Sequence, residues 1–131
     1  MIIAIDFDGT CVTHEYPSVG KDVGAVSVLE DLIYNGHKLI LNTMRSGKEL
    51  SDAVKWFENN NIELYGVNEN PTQKSWTTSP KVYAQLYIDD AALGIPLIEK
   101  LMEKNGFTIN DRPYVDWLQV RKLLVKHNII L

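Results

Sequence analysis

The sequence predicts one three-layer α/β domain, a parallel sheet between flanking helices, over residues 1–131. Three observations predict it. The length fits one domain with an independent core and leaves little room for a second. Short apolar runs alternate with segments of helical periodicity, which implies parallel strands joined by crossovers. The polar residues that end the first, second and fourth runs fall on one edge, where α/β sheets gather functional groups.

Met1 to Phe7 is a short apolar run leading into Asp8 and Gly9, and it reads as a buried strand feeding a turn. Residues 11–21, with Pro17 and Gly20, read as a loop. From Val23, the positions Val26, Leu29, Leu32 and Ile33 mark a helix that ends at Gly36. His37 to Thr43 is a second buried strand. Leu50, Ala53, Val54 and Phe57 mark a second amphipathic helix, closed by Asn59, Asn60 and Asn61. Ile62 to Val67 reads as a third strand. Residues 68–80 have no periodicity and two prolines, and long loops of this kind are often functional. Leu86 to Ile88 is a fourth strand running into Asp89 and Asp90. Pro96 to Lys104 reads as a short helix, and Pro113 to about Lys126 as a final helix packing through Val115, Leu118 and Leu123.

Composition narrows the function. A net charge of −4 without a run of Lys or Arg counts against nucleic acid as the main partner, but not against a small phosphorylated substrate. The single Cys11 rules out an internal disulfide and suits a reducing cytoplasm. The N-terminus lacks the charge and apolar length of a signal peptide, and no run approaches a membrane span. A cytoplasmic protein with no membrane partner is the expectation.

The chemistry resides at the shared edge. Asp6 and Asp8 flank Phe7, so in an extended chain their side chains share a face. With Asp89 and Asp90 they form a cluster in which each pair at about 4 Å costs about 4 kcal/mol at an effective dielectric of about 20. A cation or protonation must relieve this. Hard oxygen ligands favour Mg²⁺ over Zn²⁺, and no Cys/His constellation competes. A carboxylate attacking a phosphate dianion faces the same repulsion, which a metal relieves. The Gly9 and Thr10 backbone could cradle phosphate oxygens, the Thr43 hydroxyl could donate to the transferring group, and a lysine could neutralise its charge.

Asp-Phe-Asp-Gly-Thr (6–10), Leu-Ile-Leu-Asn-Thr (39–43) and Tyr-Ile-Asp-Asp (87–90) resemble, in order, the first, second and fourth motifs of the haloacid dehalogenase superfamily, most of whose members are phosphatases. The resemblance runs from Met1 to about Gly94. It implies a Rossmann-like fold and a phosphomonoester hydrolase working through an aspartyl-phosphate. Asp6 would be the nucleophile, and Asp8 the acid that protonates the leaving group and then activates water. Asp6, the backbone carbonyl of Asp8, and Asp89 would hold Mg²⁺, with Asp90 supporting, and Thr43 would bind phosphate. The third motif is a lysine. Lys81 is assigned by resemblance, although an extended 82–88 would span roughly 23 Å and put it at the far end of the strand, with Lys74 the alternative. Only 35 positions separate Asp8 from Thr43 and 38 separate Thr43 from Lys81, so no cap domain fits. The site should be open, with specificity drawn from residues 11–20, the 68–80 loop or a neighbouring subunit of a homo-oligomer.

Plainer readings stand beside these. Asp6 and Asp8 alone could cap a turn, Thr43 could simply end a strand, and Asp89 and Asp90 could cap the next turn. Arg45 is a candidate for the substrate's phosphate, or equally a solvated arginine. His14, Glu15 and Tyr16 could form a flap or merely a polar surface. Cys11 reads as a packed residue rather than a nucleophile, since no base accompanies it. Two other functions compete: a receiver-like phosphoaccepting domain, disfavoured because the third strand ends without an Asp, and a catalytically silent domain that binds Mg²⁺ and ligand.

Overall fold

A computed structural model describes residues 1–99, 101–110 and 112–131, those at 101–104 and 107–110 by their backbone alone. The first apolar run forms β1 (Ile2–Ile5), and the alternation that follows gives α1 (Ala25–Tyr34), β2 (Lys38–Leu41), α2 (Gly47–Asn59), β3 (Gly66–Val67) and β4 (Leu86–Ile88). These four strands form one parallel sheet in the order β3-β2-β1-β4, flanked by helices and compatible with a Rossmann-like fold. Ile3 stands opposite Leu39 on one side and Leu86 on the other. β1 is therefore central, and its Ile3, Ile5 and the following Phe7 are fully buried. Leu29 and Leu32 of α1 and Ala53 and Phe57 of α2 join the same core. Among the described residues no helix is long and apolar enough to cross a membrane.

Three expected elements differ. The third strand shrinks from Ile62–Val67 to Gly66–Val67, because Asn61 turns out of α2 with φ 57 and the returning chain first buries Ile62. Among the described residues of 96–104 there is no helix; Lys100 lies outside them, and Leu97–Ile98 form β5 and Leu101–Lys104 form β6. β6 pairs antiparallel with β7 (Phe107–Asn110) across Asn105–Gly106. Both turn residues have positive φ, 53 and 79, as a two-residue hairpin of the Asn-Gly kind requires. The last helix starts at Trp117 rather than Pro113. Tyr114–Val115 instead form β8, paired antiparallel with β5. Asp116 then caps α3 (Trp117–Lys126) by accepting the Gln119 N–H at 3.2 Å.

Candidate metal centre

The central strand delivers the first acid. The Asp6 N–H continues the ladder onto the Ile88 carbonyl at 3.0 Å, which sets Asp6 beside the end of β4 and hence beside Asp89 and Asp90. Carboxylate oxygens of Asp6, Asp89 and Asp90 all lie within 4.8 Å of one another. Thr10 is wholly buried and locks the group. Its hydroxyl donates to Asp6 Oδ2 at 2.8 Å and accepts from the Asp90 N–H at 3.0 Å. The turn between them needs Gly9, whose φ is 78. A Cβ there would sit 2.0 Å from His14 Nε2 and 2.6 Å from Asp90 Oδ2.

Burial first, and then the Asp90 side chain, push the Asp6 carboxyl up to about 8, with the Thr10 hydrogen bond opposing and the charges of Asp89 and Asp90 adding to the rise. Crowded oxygens that repel one another, all hard donors, are a fit donor set for a small divalent cation.

Asp8 is not part of this trio. Its two oxygens accept from Arg45 Nε and Nη2, each at 2.8 Å. Arg45 is buried, and it lines the cavity without offering a donor to it. Its remaining N–H groups go to the carbonyls of Pro17, Ser18 and Glu49 at 2.6 to 3.3 Å. The Gly9 and Thr10 N–H groups are likewise directed away from a ligand, bonding the Val12 and Phe7 carbonyls within the turn.

A cavity of about 530 Å³ opens over this edge. Asp6, Asp8, Asp89, Asp90, Thr43 and Arg45 all line it. Thr43 is fixed at the end of β2, where its N–H donates to Asn68 Oδ1 at 2.8 Å and its hydroxyl accepts the Arg45 N–H at 3.2 Å. Neither lysine lines it. Lys81 lies in the irregular segment before β4, its ammonium 5.7 Å from the Tyr87 ring centre, and Lys74 pairs with Glu69 at 3.6 Å beside a separate cavity of about 460 Å³. Lys48 pairs with Asp52 on the exposed face of α2. His14 and Tyr16 do reach the cavity wall, and His14 Nε2 stands 3.2 Å from Asp90 Oδ2. Sequence reasoning missed Arg112, which lines the cavity from the segment before β8. A lone arginine far along the chain carries no local signal, and only the fold brings it here.

No family model matches the sequence, and no curated protein matches it. Among solved structures, a conserved protein coded by a locus of Bacteroides thetaiotaomicron is 32% identical, with a TM-score of 0.74. The match covers 98% of this chain and 91% of that one. With that identity over nearly the whole of both chains, the protein belongs to the same family as this conserved Bacteroides thetaiotaomicron protein.

Proposed function

We propose that the protein is a Mg²⁺-dependent phosphohydrolase acting on a small phosphomonoester through an uncapped site. The convergence of Asp6, Asp89 and Asp90 at the ends of β1 and β4, with Asp8 and Thr43 on the same cavity, carries the reading. Asp6, Asp89 and Asp90 would hold Mg²⁺, which supplies charge neutralisation for attack on a dianion. An Asp6 oxygen attacks phosphorus while the ester P–O bond breaks, and the departing alkoxide receives a proton that Asp8 has first taken from solvent on an oxygen lone pair left open by Arg45. Water then attacks the aspartyl-phosphate, Asp8 takes its proton, and the P–O bond to Asp6 breaks to release phosphate. The ion pair with Arg45 still leaves each Asp8 oxygen a second lone pair for that exchange. Thr43 donates to the transferring group, and Arg112 is the cation on the same wall that meets its charge.

The test is hydrolysis of a panel of phosphomonoesters by purified protein, with Mg²⁺ and with chelator. Turnover that stops with chelator and is abolished by Asp6→Asn is expected; full activity in metal-free buffer defeats the mechanism. Two observations favour a second reading, a silent Mg²⁺-binding domain: Asp8 is tied up by Arg45, and no lysine among the described residues lines the cavity. Mg²⁺ binding by calorimetry without turnover of any ester would select it.

A further inference from the structure

Arg45 spends four of its five guanidinium donors on two things that sequence keeps apart. Nε and Nη2 grip the two oxygens of Asp8, Nη2 also reaches the Ser18 carbonyl at 2.6 Å, and Nη1 reaches the Pro17 carbonyl at 3.2 Å. The fifth donor ties the group back to α2 at the Glu49 carbonyl, 3.3 Å away. The guanidinium carbon lies 5.0 Å from the Phe7 ring centre and 5.2 Å from that of Tyr16, and the side chain is 1% exposed. A buried cation of this kind is tolerated only when every donor is satisfied.

The loop it holds has little else at its tip. Residues 15–19 are exposed, and the local bonds, Thr13 N–H to the Lys21 carbonyl and Ser18 N–H to the Glu15 carbonyl, close its base and its turn without anchoring them to the core. His14, at the loop's base, adds two contacts through Nε2, 3.2 Å from the Pro113 carbonyl and 3.2 Å from Asp90 Oδ2.

We propose that Arg45 is a positioning residue that links the posture of Asp8 to the docking of the 13–18 loop as the wall of the acidic cavity. When the loop carbonyls and the Asp8 carboxylate share one planar fork, neither moves without the other, and Asp8 is presented to the cavity in a single orientation. Lysine keeps the charge but cannot reproduce the fork. The catalytic half of this inference rests on the phosphohydrolase reading, and the structural half does not.

Backbone amide exchange across residues 13–18 tests the link directly. In Arg45→Lys, and also in Asp8→Asn, which touches no loop residue, exchange there should quicken about tenfold or more while β1 amides stay protected, since each lost charged hydrogen bond weakens the docked state. Loop exchange unchanged from wild type in both variants overturns the proposal, whether or not any ester is hydrolysed. Turnover supplies the second readout. Arg45→Lys should lose about tenfold more activity on an alkyl phosphate, which needs a proton from Asp8, than on an aryl phosphate with a good leaving group. Equal losses on both overturn the positioning role. Wild-type protein that hydrolyses neither ester defeats the phosphohydrolase reading, and the exchange comparison alone then decides the link.

Discussion

Asp6 is held between two demands. Buried and facing other acids, its carboxyl is raised from 3.8 to about 8, yet a nucleophile or metal ligand must be ionised. A cation resolves the conflict, so Mg²⁺ binding at pH 7 should release a proton, and affinity should rise with pH until about 8. Calorimetry in two buffers of different ionisation enthalpy measures the released proton, and Asp6→Asn should abolish it. The same shift governs stability without metal. The folded state holds a proton that the unfolded chain gives up, so this contribution is fully present below 3.8 and is lost as pH rises to about 8. Metal-free wild type should therefore lose melting temperature across that window more steeply than Asp6→Asn. Under the proposed phosphohydrolase reading, Arg112→Ala removes a cation from the cavity wall and should raise KM for a phosphomonoester by roughly tenfold with a smaller effect on kcat. The order of apolar runs was enough to bring Asp6 to the edge it shares with Asp89 and Asp90. It was not enough to show that Asp8 turns to Arg45 or that the Gly9 and Thr10 N–H groups bond within the turn. The destination of the Arg45 fork was not legible either, because it depends on where a loop 27 and 28 residues away comes to rest.

Among the elements, α1 and α2 were legible from their periodic patterns, and those that depend on turn chemistry were not. α3 starts at Trp117 and packs through Trp117, Val120 and Leu124, while Leu118 and Leu123 face outward. α2 is fixed by its apolar stripe. Phe57 is fully buried, 5.9 Å from the Phe7 ring centre and 5.0 Å from that of Trp56. Phe57→Ala should lower stability by about 3–5 kcal/mol in denaturant titration, through a cavity directly beneath the acidic turn. The hairpin of β6 and β7 was missed because apolar residues at 97, 98, 101 and 102 mimic helical spacing, while the decisive signal was the Asn-Gly pair after them. Gly106→Ala places a Cβ at φ 79. Hairpin amides should then exchange about fivefold faster, the equivalent of about 1 kcal/mol, with β1 unchanged.

Across the molecule, the C-terminal third buttresses the site from behind. The Trp117 indole N–H donates to the Thr10 carbonyl at 2.6 Å across 107 residues, and the Val115 N–H to that of Gly9 at 2.9 Å. α3 is tied to α1 through Arg121 and Asp31. The motif resemblance ended near Gly94, so nothing in local spacing pointed to this support. Trp117→Phe keeps an aromatic ring, though a smaller one, and leaves a buried carbonyl without its donor. It should lower stability by about 1–3 kcal/mol in denaturant titration and weaken Mg²⁺ binding through the loosened turn.

Cys11 adds a built-in clock. Its thiol is fully buried and donates to the Asp6 carbonyl at 3.4 Å. Burial first, then the charge of Asp6, push the thiol well above its ordinary range. A disulfide reagent in solution cannot reach it while the turn is formed. Labelling therefore counts openings of the segment that carries Asp6 and Asp8, one sulfur per event, with no introduced probe. If Mg²⁺ rivets that turn shut, labelling should slow as the metal is added, and the slowing should saturate at the same concentration as binding measured by calorimetry.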